Sequence, residues 1–250
     1  MGKKLAISSS TAQTTRHRFR AVHTTDSHQI IIVDTPGVHK PHDTLGEELN
    51  TTALKSLEGI DVAAFVLDAS APFGTGDEWV ISQLAQCSMP KLLVLSKIDL
   101  VTQEELDLQR QRALEAGQWD GVVALSSVTG EQIDTFIELV EQFLPAGPLW
   151  FPADMETDQP IEVIIAEFIR EKILLTAHDE VPHAVGVVVE DMEYNRRKNL
   201  EKIYASVYVE RDSQKGIIIG KGGAAIKEVG MQARKDLEVC LEKKYFLTCK

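Results

Sequence analysis

Ile30-Ile31-Ile32-Val33-Asp34-Thr35-Pro36-Gly37 is an apolar run that ends on a carboxylate and, three residues later, on a glycine. Four β-branched residues in succession read as a strand buried on both faces, the pattern of a parallel sheet. Two further runs end in a similar way. Leu92-Leu93-Val94-Leu95 leads into Ser96-Lys97-Ile98-Asp99, and Val122-Val123-Ala124-Leu125 leads into Ser126-Ser127-Val128. With the apolar stretch at 62–68, strands are expected at about 29–34, 62–68, 91–96 and 122–126, and helical periodicity lies around 45–58, 76–87, 103–116 and 131–144. This is βα repetition, so the first domain is α/β, with a mainly parallel sheet whose ligand crevice lies at the C-terminal strand ends. The polar residues stand at those ends.

The 250 residues are 44% hydrophobic, enough for one or two compact domains. No apolar run approaches the roughly 20 residues that cross a bilayer, and Met1-Gly2-Lys3-Lys4-Leu5 lacks the apolar core of a secretory signal, so the cytoplasm is the expected compartment. Cys87, Cys240 and Cys249 are scattered, with no CxxC or Cys/His spacing, and support neither a disulfide framework nor a zinc site. The formal net charge of −12 is unevenly placed. Residues 195–250 hold 13 Lys and Arg against 7 Asp and Glu, whereas residues 1–194 hold 13 against 31. A basic C-terminal part on an acidic protein is what a phosphate-backbone partner would select, the alternative being a solvated charged helix face.

Pro145-Ala146-Gly147-Pro148 breaks the last helix, and the Pro- and Asp-rich stretch to Pro160 reads as a linker. The expected division is 1–147, linker 148–160, and 161–250. In the second domain, Ile161 to Thr176 has helical spacing, Val185 to Val189 and Ile203 to Val209 read as strands, and Gln214 to Glu242 as two helices split by Gly220-Lys221-Gly222-Gly223. Tyr245 to Cys249 reads as a closing strand. This α-β-β-α-α-β order with a GxxG break is the type II KH arrangement, an α+β fold whose glycines admit a nucleic-acid backbone. Ile219, Gly220, Lys221, Gly222, Gly223, Lys227 and Arg234 are the candidate RNA-contacting residues. Glu162, Glu167 and Glu171 make the Ile161–Thr176 helix a poor match for anionic lipid and favour core packing.

The sequence resembles the Era family of bacterial GTPases, which join a Ras-like domain to a C-terminal KH domain. The resemblance rests on Gln13-Thr14-Thr15-Arg16-His17-Arg18, the Asp34–Gly37 box, Ser96–Asp99, Phe151-Pro152, Ile169-Arg170-Glu171-Lys172 and Gly216 to Gly230. It implies GTP binding and hydrolysis with Mg²⁺, binding of small-subunit ribosomal RNA and the small ribosomal subunit, and a role in ribosome assembly. On the family's account alone it also implies peripheral association with the cytoplasmic face of the membrane. A monomer is expected.

By that resemblance, Asp34, Thr35, Pro36, Gly37, Val38, Ser96, Lys97, Ile98, Asp99, Ser126 and Ser127 form the GTP site. Asp34 is expected to hold Mg²⁺ through a water, with Thr15, or alternatively Thr14, as the switch threonine. The Gly37 amide reaches the γ-phosphate, where a Cβ would intrude. Asp99 can accept both the ring N–H and the exocyclic amine of guanine, a pair adenine does not offer, while Lys97 lays its aliphatic stem along the base. Ser96 stands where the family usually has Asn, and Ser127 where Ala is usual. Val38 cannot orient water by hydrogen bonding, so slow intrinsic hydrolysis is expected and no side chain is assigned as catalytic.

No GxxxxGK[ST] phosphate loop occurs in the 250 residues. The expectation is that the family's first strand, phosphate loop and first helix, and its extreme C-terminus, are not represented, and that these 250 residues by themselves bind GTP very poorly. Two functional readings follow: part of a GTP-hydrolysing, RNA-binding switch, or a nucleotide-incompetent KH module that keeps only the GTPase fold.

Overall fold

The computed structural model describes residues 4, 6–7, 19–35, 50, 53, 55–176 and 185–249. Backbone packing divides the chain into two compact units, Met1–His23 with Ile31–Asp34 and Asp154–Lys250, and Thr24–Ile30 with Thr35–Ala153. Each is built around its own apolar core.

In the acidic unit, β3 (Ala63–Asp68), β4 (Lys91–Ser96) and β5 (Gly121–Ala124) form a three-stranded parallel sheet in that order. The run Leu92–Leu95 is almost wholly excluded from solvent because β4 is central and covered on both sides. Successive side chains alternate between faces. Leu93 and Leu95 pack with Phe65, Leu67, Ile81 and Ala113. Leu92 packs with Ile30 and Val140, and Val94 with Val123 and Leu125. Helices α1 (Thr75–Leu84), α2 (Gln103–Ala116) and α3 (Ile133–Glu141) supply the covering layers. The start of α2 is fixed by a capping box in which Thr102 Oγ1 accepts from Glu105 N–H and Glu105 Oε2 accepts from Thr102 N–H.

Two departures from the sequence expectation concern the run that opens it. Gln29–Asp34 is a strand, β2, but its described partner is β1 (Phe19–Thr24) in a separate two-stranded sheet, not the parallel sheet. Phe19–Thr24 was not expected as a strand at all. The turn between them is closed by Thr25 N–H to His28 O at 2.9 Å, with the Thr25 hydroxyl accepting from the Ser27 and His28 amides. The other boundaries move by a few residues, since α1 ends at Leu84 and α3 spans Ile133–Glu141. Of the helix expected at 45–58, residues 50, 53 and 55 are helical and 56–59 form a turn, while most of the rest lies outside the described residues.

The stretch expected as a linker is fastened rather than loose. The Gln29 carboxamide accepts from the Trp150 and Phe151 amides (2.9 and 3.0 Å) and donates to Phe151 O (3.0 Å). Further on, Val22 N–H donates to Glu156 O at 2.8 Å, Thr157 Oγ1 donates to Arg20 O at 2.7 Å, and Arg20 pairs with Asp158.

The C-terminal region has the expected element order: α4 (Ile161–Thr176), β6 (Val185–Asn195), β7 (Leu200–Val209), α5 (Asp212–Ile219), α6 (Ala224–Leu241) and β8 (Tyr245–Cys249). β6 and β7 pair antiparallel with a bulge between Val189 and Asp191, and β8 runs parallel to β7. Both strands of the hairpin are longer than expected. Ile165, Phe168, Ile169 and Ile173 of α4 meet Val185, Ile203, Ala233 and Leu237 in the core. Beside that core is a seam of charge. Glu171, 1% exposed, accepts from Lys4 Nζ at 2.5 Å and lies 3.1 Å from Lys172 Nζ, which also pairs with Asp236. Lys4 Nζ sits 5.2 Å from the centre of the Phe168 ring.

Candidate nucleotide and nucleic-acid sites

The ends of β3, β4 and β5 converge because parallel pairing puts their C-termini on one edge, with Asp68 the register partner of Ser96. Past Ser96 the backbone turns sharply. Lys97 takes the left-handed conformation, φ 60°, and Ile98–Leu100 forms a 3₁₀ turn that closes with Leu100 N–H to Lys97 O at 3.0 Å. A non-glycine residue at positive φ costs on the order of 1 kcal/mol and persists only where its surroundings hold it.

Ser126, wholly buried, is the hub of the neighbouring loop. Its hydroxyl donates to Asp99 Oδ1 at 2.5 Å and accepts from the Val128 and Thr129 amides at 3.2 and 3.1 Å. Its backbone is bonded to Glu131 O and Gly130 N–H. Ser126 is therefore a brace for Asp99 rather than a group presented to a ligand. Ser127 beside it is exposed. Among the described residues no other side chain donates to the Asp99 carboxylate, so Oδ2 keeps its acceptor capacity.

On the other side, Lys97 Nζ donates to Asp68 Oδ2 at 2.6 Å, while Asp68 Oδ1 accepts from the Ser70 hydroxyl (2.6 Å) and amide (2.9 Å). Burial alone would raise the Asp68 pKa, but the bonds from Lys97 and Ser70 outweigh it and hold the carboxyl below its ordinary value. Ser96 Oγ donates to Leu67 O at 3.0 Å, a bond within the sheet edge. Asp34 and Thr35 lie at the C-terminal end of β2. Thr15, Thr14, Pro36, Gly37 and Val38 lie outside the described residues.

The second candidate site is the turn between α5 and α6. Gly220 has φ 70° and ψ 177°, a region open essentially to glycine alone, and a Cβ there would meet Ala225 Cβ at 2.7 Å and Ala225 N at 2.9 Å. Gly222 and Gly223 also have positive φ, 62° and 81°, but added Cβ atoms would find nothing within 4 Å. One glycine lets the helices pack, and the other two leave bare backbone facing open space. Ile218 anchors α5 in the core, whereas Ile217, Ile219, Lys221 and Lys227 are exposed around the turn. Arg234 is not brought to the loop. It lies about three helical turns along α6, with Nε 3.9 Å from Glu238 Oε1.

Residues 1–97 match the family model described as a 50S ribosome-binding GTPase, and residues 180–250 match the KH domain model. A crystal structure of Era in complex with MgGDPNP and nucleotides 1506–1542 of 16S ribosomal RNA is 32% identical, with a TM-score of 0.93, and the match covers all of this chain and 85% of that one. The chain belongs to the Era family. A single-residue variant of Aquifex aeolicus Era bound to GDP·AlF₄⁻ is 31% identical with a TM-score of 0.90, over the same shares of the two chains. The architecture, a Ras-like GTPase fold followed by a type II KH fold, is thus that of Era over the whole chain. Two features of this Era-family site escaped sequence reasoning: the Asp68 carboxylate, whose only signal was its place at the end of an apolar strand, and the bracing role of Ser126.

Proposed function

We propose that the chain is a guanine-nucleotide switch that hydrolyses GTP and binds small-subunit ribosomal RNA through its KH unit, serving assembly of the small ribosomal subunit. The observation that carries the nucleotide half is the Ser126 bond to Asp99, which fixes one carboxylate oxygen and leaves the carboxylate poised to accept two N–H groups along one edge of a base. Guanine offers two such donors and adenine does not. Lys97 provides a flat aliphatic stem two residues away, with its charge held by Asp68. Asp34 suits a water-mediated contact to Mg²⁺, which takes most of its ligands from water and phosphate oxygens; accordingly, no cage of three or more His, Cys, Asp or Glu is needed, and none occurs among the described residues. Bound Mg²⁺ would supply neutralisation of charge on the terminal phosphates. Val38 offers no hydrogen bond to an attacking water, so turnover depends on backbone groups or on a partner. The RNA half rests on Gly222 and Gly223 facing open space amid Lys221, Lys227 and Ile219.

No described helix is long and apolar enough to cross a membrane. Our reading places the protein in the cytoplasm as a monomer, with any membrane association peripheral.

Replacing Asp99 by Asn puts an N–H where an acceptor stood. In the natural protein, Asp99→Asn should weaken GDP by at least about 100-fold and favour xanthosine diphosphate, whose C2 oxygen accepts from that amide. Unchanged GDP affinity in the variant would remove Asp99 from the site.

A further inference from the structure

We propose that Asp68 is a positioning residue of the guanine pocket, holding Lys97 as one wall of it and supplying the brace that the short Ser96 hydroxyl does not. This rests on the guanine-nucleotide reading above.

The geometry of the turn after β4 carries it. Lys97 and Asp99 flank Ile98, and each is secured from a different neighbouring strand: Asp99 by Ser126 after β5, Lys97 by Asp68 at the end of β3. The Asp68 carboxylate is divided between two tasks. Oδ1 is occupied by the Ser70 hydroxyl and amide, which fixes the group in its own turn, and Oδ2 receives Lys97 Nζ. The acceptor is therefore set before the lysine reaches it. The left-handed backbone at Lys97 is held separately by main-chain bonding, Leu100 N–H to Lys97 O and Ile98 N–H to Leu125 O, so the Asp68 contact acts on the side chain alone. Ser96 spends its hydroxyl proton on Leu67 O and reaches neither loop.

Exposure separates this role from a merely stabilising one. The side chains of Lys97 and Asp68 are 53% and 35% exposed, and ion pairs in that setting contribute little to folding. What such a pair does supply is direction. A lysine stem tethered at its tip presents its methylenes in one orientation, and less conformational freedom is lost when a base is laid against it.

The test is equilibrium binding of N-methylanthraniloyl-GDP to the natural protein and to Asp68→Asn, Lys97→Met and the double variant, with thermal unfolding of each. Asp68→Asn should weaken GDP by about 5- to 10-fold, with a melting midpoint within about 2 °C of the parent, and the loss should vanish in the Lys97→Met background, since the two residues act as one unit. GDP affinity unchanged by Asp68→Asn, or losses that multiply in the double variant, would overturn the proposal while leaving the guanine reading intact. A parent protein that binds no GDP would overturn both.

Discussion

Glycines 220, 222 and 223 sit within four residues of one another yet are glycine for different reasons. Gly220 combines a backbone conformation closed to other residues with a Cβ position already filled by Ala225, so Gly220→Ala should destabilise the KH unit by about 1–3 kcal/mol, read as an earlier urea midpoint. Gly222 has room for a methyl but lies in the left-handed region, where an L-residue costs about 1–2 kcal/mol, so Gly222→Ala should destabilise by that strain alone and less than Gly220→Ala, which adds a clash. The same methyl would stand on the open face of the turn and should weaken RNA binding by about 10-fold or more if the backbone there meets RNA. Equal effects of the two substitutions on stability and on RNA binding would mean that the turn is only a packing device. The sequence announces the GxxG spacing but not this division, because which glycine faces a neighbour depends on where α5 and α6 cross. Asp68 was illegible for a related reason, since a strand-end aspartate gains meaning only when parallel pairing sets it beside residue 97, 29 positions on.

At the scale of elements, the charged seam joining α4, α6 and the N-terminal segment behaves as a titrating device. Burial disfavours charge on both Asp236 and Lys172, but their pairing outweighs it, so the Asp236 carboxyl is held below, and the Lys172 ammonium above, its ordinary pKa. A lowered carboxyl contributes stability above its unfolded pKa, near 3.9, and loses that contribution as pH falls through the native value. A raised ammonium contributes below its unfolded pKa, near 10.4, and loses that contribution as pH rises through the native value. Asp236→Asn should therefore lower stability at pH 6, and the gap should narrow progressively as pH falls below about 4, measured as urea midpoints across that range; a gap that stays constant with pH would place the seam's contribution elsewhere. Most elements were readable from period alone, and Leu92–Leu95 is the clearest case, four consecutive apolar residues buried on both faces of a central strand. Phe19–Thr24 was not, because its alternation is short and mixes Arg20 and His23 with apolar neighbours, and its identity as a strand depends on pairing with β2. The grip of Gln29 on Trp150 and Phe151 was likewise hidden, a contact between residues more than a hundred positions apart.

Across the whole molecule, the acidic excess lies in residues 1–160, with 11 Lys and Arg against 23 Asp and Glu, while residues 161–250 balance at 15 against 15 and only the stretch from 195 is basic. The acidic part presents little to attract a polyanion, and the net charge of +6 over residues 195–250 accompanies a turn with exposed Lys221 and Lys227. Binding of a single-stranded small-subunit ribosomal RNA probe should weaken linearly with the logarithm of salt concentration, and Lys221→Ala should reduce the slope by about 0.7, as expected for loss of one contact to a single strand; an unchanged slope would remove Lys221 from the RNA surface. The two halves of the function are testable apart, but the nucleotide half is the one on which the switch depends. The most direct measurement is competition of GTP and ATP for the natural protein. Our account predicts that GTP binds at least about 100-fold more tightly, because only guanine meets the two acceptors of a carboxylate held by Ser126. Comparable affinities for the two nucleotides would contradict it.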